Sequence, residues 1–323
     1  AFTLTPQYQG DTLPPIFHYW SQSYLAPRFA EFGITSPEEF YFQEILAAGG
    51  ARTGAVKVLS LGCGAGALEM ALAQRLRAAG QAAQFVCLDF NDDLMKSARA
   101  SAAAQGLADC VRFDTFDCNA PFAMPGQDVL LVNQFFHHVS DLETFCRSLR
   151  ASLAPGGMLL TSDVIGRNGH QLWPAAQRTM DEVWPTLPPE KTLDRHSGRR
   201  EAKFHSVDHA AYSNEGVRAQ DVVRCLLAEF DFELFLSFGG IITPVLDRRF
   251  GFNFDPDSAD DRALIDRIEA ADQAAQRQGL YPPSSMVAKL RAKGSGAAER
   301  FNQMPAQDFV RMVNAQLSGH ATP

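Results

Sequence analysis

No stretch of about 18 apolar residues occurs along the chain, so nothing in it predicts a membrane-spanning helix. An excess of positive charge is missing too. Against 37 Asp and Glu stand 29 Lys and Arg, and a net charge of −8 argues against a nucleic-acid backbone as the main partner. A local basic cluster remains compatible with a small anionic substrate. The six cysteines, Cys63, Cys87, Cys110, Cys118, Cys146 and Cys225, include no Cys-x-x-Cys pair and no Cys/His ligand spacing. That pattern predicts no structural zinc and no metal centre. Several of them sit inside apolar patterns, where a free thiol behaves as a small hydrophobe, and a reduced cytoplasmic compartment is expected. Residues Ala1 to Gly10 are polar and hold no apolar signal-peptide region. Internal repeats and low-complexity tracts are absent.

What is there begins at Val56. The run Val56-Lys57-Val58-Leu59-Ser60-Leu61 reads as a buried strand that enters the glycine-rich turn Gly62-Cys63-Gly64-Ala65-Gly66 and then a helix with Leu68, Leu72 and Leu76 on one face. Glycines at such a junction permit a tight backbone and let a ligand approach closely. Main-chain N–H groups around Gly62–Gly64 are expected to meet it. Gly62, Gly64 and Ala67 also satisfy the G-x-G-x-x-G/A dinucleotide pattern, so the turn alone leaves the cofactor open.

Strand and helix alternate onward. Apolar Phe85–Leu88 ends in Asp89, and Asn91 caps a helix to about Gln105. Val111–Phe113 precedes the Asp114–Ala120 loop, and strand Val129–Val132 ends at Asn133. Ser140-Asp141-Leu142-Glu143 reads as a capping box for a helix stopped by Pro155-Gly156-Gly157. Strand Met158–Ser162 ends in Asp163. Single helices between strands predict an α/β fold with a doubly wound parallel sheet. Further on, a helix over Ala219–Glu229, a strand over Phe232–Phe238, a capped helix from Ser258 to Gln278 and a last antiparallel strand over Ser285–Leu290 are expected.

Five regions follow from this rhythm. Residues 1–50, rich in aromatics, read as a helical N-terminal lid and 51–166 as the cofactor-binding core. Residues 167–218, rich in Arg, His, Trp and Pro, read as an inserted substrate or lid segment. Residues 219–292 complete the core, and 293–323 form a weakly helical tail.

In order and spacing, LGCGAG, FVCLDF at Asp89, FDCN with Asp117, LVNQFFHHVSDL and LAPGG resemble the class I S-adenosylmethionine-dependent methyltransferases. The flanks HYWSQSYLAPRFAEFG, DVIGRNGHQLWP and DRRFGFNFDPDS resemble a group of bacterial methyltransferases of similar length. The resemblance implies a Rossmann-like sheet of seven strands, the last antiparallel, with S-adenosylmethionine as cofactor. It also implies cofactor contacts from Gly62, Cys63 and Gly64, from Asp89 with Phe90, from Asp117, Cys118 and Asn119, and from Asn133, Gln134 and Phe135. Asp89 suits a ribose diol because a carboxylate offers two acceptor oxygens. An aromatic face such as Phe135 suits a sulfonium cation. One departure stands out. The family carries an acidic residue two positions before the first glycine, where this chain has Ser60. Glu69, one turn into the next helix, either replaces that charge or is a solvated helix residue.

Methyl transfer needs alignment more than acid–base power, although a hydroxyl acceptor gains from a base. His137 and His138 follow the fourth strand directly, and His170 lies in a loop on the same sheet edge, which makes these three the candidate catalytic residues. A purely structural role for His138 is equally compatible with its position. Arg167 and Asn168 in that loop, with His205 in the basic stretch beyond it, are candidate substrate contacts. Tyr19 and Trp20 are candidates for an aromatic lid, or else core residues of an amphipathic helix. The expected partner is a small-molecule or carrier-bound substrate, with no nucleic acid and no membrane, and the oligomeric state is left open. The activity so implied is methyl transfer, oxygen acceptors slightly favoured over nitrogen or carbon. A nicotinamide-dependent oxidoreductase and an inactive S-adenosylmethionine-binding protein are the alternatives.

Overall fold

The structure is a computed structural model that describes residues 13–50 and 54–319. The part of the expected N-terminal lid in residues 1–12 lies outside the described residues. Val, Leu and Phe alternate between the two faces of each central strand, and both faces are buried. Leu130 and Val132 join one core, whereas Val129 and Leu131 join the other. That two-sided burial is what parallel strands flanked by helices require.

Ten strands are present among the described residues. The main sheet holds β1 (Val56–Leu61), β2 (Ala83–Asp89), β3 (Val111–Thr115), β4 (Gln127–Asn133), β5 (Leu153–Val164), β8 (Phe230–Phe238), β9 (Ser285–Ala292) and β10 (Arg300–Phe301). A separate hairpin pairs β6 (Leu193–Asp194) with β7 (Arg199–Arg200). The main sheet has the order β10-β8-β9-β5-β4-β1-β2-β3. β1 to β5 run parallel, and β9 lies antiparallel between β5 and β8. Eight strands replace the seven expected, because β10 is a two-residue pairing along β8 in a polar stretch with no period to read.

The N-terminal helical stretch runs through α1 (Pro15–Trp20), a π segment at Ser21–Leu25 and α2 (Ala26–Ala30). One face of the sheet is covered by α3 (Pro37–Gly50), α4 (Ala67–Ala78) and α5 (Asp92–Ala104), which bury Tyr41, Leu72 and Met95. The other carries α6 (Leu142–Ser152), α7 (Pro174–Val183), α8 (Val222–Glu229), α9 (Ile242–Leu246), α10 (Ala259–Arg277) and α11 (Ala306–Leu317). Two local expectations need correction. The capping box at Ser140 does not form: Asp141 is the cap, accepting from the Thr144 N–H at 3.0 Å, while the Ser140 N–H goes to Asn119. β5 begins at Leu153 and runs through Pro155–Gly157, since Gln127 of β4 already pairs with Leu153.

The chain winds outward from β1 to β2 and β3, then returns to place β4 on the other side of β1. Beyond the carboxyl ends of β1 and β4, where the winding reverses, a crevice is dictated by topology.

Candidate active site

Two of the turns at this crevice carry left-handed backbone. Gly62 follows β1 at φ 73°, and Gln134 follows β4 at φ 52°. The Phe135 ring lies so close over Gly62 that a Cβ there would meet it at 2.1 Å, which reserves the position for glycine. The expected donors of the turn prove to be engaged within the chain. The Gly62 and Cys63 N–H groups donate to the Leu88 carbonyl at 2.8 and 3.3 Å, and the Gly64 N–H donates to Asp89 Oδ2 at 2.9 Å. What the turn offers a ligand is therefore close approach rather than those N–H groups.

Asp89 is buried at the end of β2, and its second oxygen accepts from the Asn91 N–H at 3.1 Å. Each oxygen thus holds one protein donor and keeps a further lone pair. Phe90 beside it is exposed. Glu69 is 2 % exposed, which excludes the solvated-helix reading. Its Oε1 accepts from the Ser60 hydroxyl at 2.6 Å, while Oε2 is buried without a protein partner. Burial raises the Glu69 carboxyl above its ordinary range, against the lowering effect of Ser60. The acid missing at position 60 is thereby supplied to the same spot from α4.

Asp117 is exposed and caps its own loop through the Asn119 N–H at 2.9 Å. Asn119 staples that loop to the start of α6 by accepting from the Ser140 and Asp141 N–H groups, both at 3.1 Å. Cys118 is half-buried between them, and burial raises its thiol. At the end of β4, Asn133 accepts from the Tyr41 hydroxyl at 3.0 Å, and the exposed Gln134 that follows donates to the Ser162 carbonyl at 3.2 Å.

The histidine turn is organised by Asp163, fully buried at the end of β5. Asp163 Oδ2 accepts from the Phe135 and Phe136 N–H groups, each at 2.8 Å. Its Oδ1 accepts from the Val164 N–H at 2.8 Å and stands 2.6 Å from His137 Nδ1. Burial alone would lower the His137 imidazole. The adjoining Asp163 and Glu215 carboxylates more than reverse that and lift it to about 9. His138 lies against His137 with ring centroids 4.0 Å apart. Burial and the neighbouring His137 hold His138 below its ordinary value. Its Nδ1 is 3.2 Å from the Asn214 carbonyl, an acceptor only, so Nδ1 carries the proton and Nε2 the lone pair. His170 joins the cluster through Glu215, with Nε2 3.2 Å from Oε2. Imidazole contacts hold Glu215 far below the usual carboxylate range.

Sequence reasoning placed the three histidines but missed Asp163 as the partner of His137, and missed Glu215 altogether. Asp163 had a signal as a strand-end acid. Glu215 comes from an aperiodic loop and had none.

Of the proposed substrate contacts, Arg167 and His205 line one open cavity of about 380 Å³ with Gln177, Lys203 and Ser206. Asn168 instead braces Gln220, exchanging two hydrogen bonds of 3.2 Å with it. Tyr19 and Trp20 turn to α10: the Tyr19 hydroxyl donates to Asp266 at 2.8 Å, and the buried Trp20 indole donates to Glu269 at 2.7 Å.

Part of the chain is similar to known proteins. Residues 59–159 match the family model described as a methyltransferase domain. Among curated relatives, methyltransferase GfsG of Streptomyces halstedii is 28% identical over 152 residues, which cover 47% of this chain and 51% of that protein. The ubiquinone/menaquinone biosynthesis C-methyltransferase UbiE of Shewanella sp. (strain ANA-3) is 28% identical over 160 residues, covering 49% of this chain and 61% of that one. The chain thus spans about half to three-fifths of the length of these relatives. Among solved structures, geranyl diphosphate methyltransferase in complex with S-adenosylmethionine aligns with a TM-score of 0.44 at 14% identity, covering 84% of this chain and 90% of that one. Residues 59–159, which hold the glycine turn, Asp89, Asp117 and the His137–His138 pair, are thus the part of the chain that is similar to a methyltransferase domain.

Proposed function

We propose that this protein transfers a methyl group from S-adenosylmethionine to a small or carrier-borne acceptor, at oxygen in preference to nitrogen or carbon. The observation that carries the reading is the pair of buried carboxylates, Asp89 and Glu69, flanking a glycine turn that leaves room for a ligand. Asp89 keeps lone pairs for a ribose diol. The partnerless Oε2 of Glu69 is an acceptor suited to an ammonium group, which also relieves the cost of burying that carboxyl. Asn133, held by Tyr41, offers further polar contact at the sulfonium end, and Phe135 offers an aromatic face. Asp117, Cys118 and Asn119 form the proposed adenine loop.

The cofactor supplies a methyl group on a sulfonium, open to in-line displacement. The chain's part is to align the acceptor and to receive its proton. His138 suits the second task, since its unprotonated Nε2 is half-buried beside the turn and remains neutral at pH 7. A neutral base next to the acceptor is the reason for favouring a hydroxyl. The cavity shared by Arg167 and His205 is the proposed entry for the acceptor. The cysteines among the described residues are all free, which fits a reducing compartment such as the cytoplasm. No helix among the described residues is long and apolar enough to cross a membrane.

Ser60 was the best argument for an inactive binding protein, and the Glu69 contact weakens it. Calorimetric titration with S-adenosylmethionine, S-adenosylhomocysteine and NAD tests the reading. Binding of the first two without NAD is expected. NAD binding alone would sink it, and cofactor binding without turnover on any acceptor pool would restore the inactive alternative.

A further inference from the structure

We propose that His137, His170 and Glu215 form a binding site for one divalent first-row transition cation at the acceptor side of the cleft. The donor atoms of the three residues all lie within 4.8 Å of one another. Glu215 Oε2 stands 3.5 Å from His137 Nε2 and 3.2 Å from His170 Nε2. Metal–ligand bonds of about 2.0–2.1 Å at tetrahedral angles set donor atoms about 3.3 Å apart. Both distances to Glu215 therefore match the spacing of a coordination sphere, and the two imidazoles lie within reach of the same ion.

Three independent features show that the site is built. First, Asp163 Oδ1 holds the His137 proton on Nδ1 and so aims Nε2 at Glu215, the outer carboxylate support that metal-bound imidazoles use, and a cation binding there takes the place of the Nε2 proton. Second, the three segments are tied to each other through the backbone. The Val217 N–H donates to the His137 carbonyl at 3.1 Å, and the Gly169 N–H donates to the Gly216 carbonyl at 2.9 Å. Gly216 is needed for that closeness, since a Cβ there would stand 3.0 Å from the Gly169 nitrogen. Third, His170 holds a left-handed φ of 58°, a conformation that a non-glycine residue keeps only where the surroundings impose it.

The donor set selects the ion. Two imidazoles and one carboxylate suit Zn²⁺, Fe²⁺, Co²⁺ or Mn²⁺, whereas Mg²⁺ and Ca²⁺ prefer all-oxygen surroundings. Three protein ligands leave coordination positions open. His170 and Glu215 keep 26% and 44% of their side-chain surface exposed, so those positions face an accessible side. A cation there would polarise and orient an acceptor oxygen. His138, whose Nε2 is 4.0 Å from Glu215 Oε1, stands alongside and stays free to take the proton. The expected absence of a metal centre came from cysteine and histidine spacing, which cannot register ligands drawn from three distant segments. The role at the acceptor rests on the methyltransferase reading, but cation binding itself does not.

The test uses the full chain, stripped with a chelator and titrated with Co²⁺ while its visible absorption is followed. One equivalent should bind with the d–d bands of a low-coordinate nitrogen–oxygen site. Glu215→Gln and His170→Ala should each weaken binding by more than the about 10–100-fold that loss of an outer-sphere partner costs. His18→Ala, on the exposed side of α1, should bind as wild type does. Titration of the same variants with S-adenosylhomocysteine monitors fold and cofactor site separately. Equal Co²⁺ affinity in wild type and Glu215→Gln, with S-adenosylhomocysteine binding intact, would overturn the site and leave a protein-only network of imidazoles around Glu215. Tight Co²⁺ binding by a chain that ignores S-adenosylhomocysteine would uphold the site and overturn the cofactor reading instead.

Discussion

A carboxyl group with no solvent exposure is tolerable when its oxygens are filled by donors, and Asp163 fills both, with three backbone N–H groups and one imidazole. The other carboxylates of the site are deliberately less satisfied, and that is where ligand binding should register. Asp89→Ala is expected to weaken S-adenosylmethionine affinity about 10²–10⁴-fold, because hydrogen bonds to a charged group contribute about 1.5–3 kcal/mol each and the ribose diol makes two. Calorimetry reads this directly, and unchanged affinity would refute the assignment of Asp89 to the ribose. Glu69→Gln keeps an acceptor for the Ser60 hydroxyl but removes the charge, so the same titration should show weaker binding with a native thermal transition. His138→Ala should leave cofactor affinity intact and lower kcat about 10²–10⁴-fold, with loss of the acid limb of the pH–rate profile. A purely structural His138 would lower stability instead and leave that limb in place.

At the scale of elements, periodicity revealed what burial dictates. β1, β2 and β4 are apolar on both faces, so their runs stand out, and Asn91 and Ser258 cap α5 and α10 as their side chains suggest. β10 has only Arg300 and Phe301, too short for any period. The start of α6 was misread because Ser140 and Asp141 are both good caps, and the tertiary contact with Asn119 decides between them. The site divides the same way. Residues at strand ends, such as Asp89, Asn133 and His137, are legible from position, whereas Glu215 enters through backbone ties between loops. The aromatic N-terminal segment shows a third case, since Trp20 is a buried clamp onto α10. Its indole and the Arg28 guanidinium both donate to the buried Glu269 of α10, at 2.7 and 2.5 Å. Trp20→Phe leaves Glu269 Oε2 without that donor and should cost about 1–3 kcal/mol in urea unfolding. An unchanged midpoint would mean that water replaces the indole.

For the molecule as a whole, one buried acid should mark the pH dependence of unfolding. Asp272, fully buried, accepts from the Tyr281 hydroxyl, the Gln276 amide and the Ile242 N–H, yet burial still lifts it from 3.8 to about 6. Between those values the folded state holds a proton that the unfolded chain has released, so raising the pH favours unfolding. Its contribution is greatest below about pH 4 and is lost as the pH rises through about 6. Comparing denaturation of wild type and Asp272→Asn from pH 4 to 7 should show the balance moving toward the variant as pH increases. A constant difference would place the titration elsewhere.

β5 is an interior strand only because β9 lies on it from Met158 to Val164. The region matched to the methyltransferase family ends at residue 159, more than a hundred residues before β9 begins. A fragment cut to 54–166 would therefore present a long, apolar, unpaired edge, the feature that templates strand addition between molecules. Such an excised core should form larger assemblies than the full chain or precipitate, as light scattering would record. The sheet needs the distal part of the chain to close its own boundary.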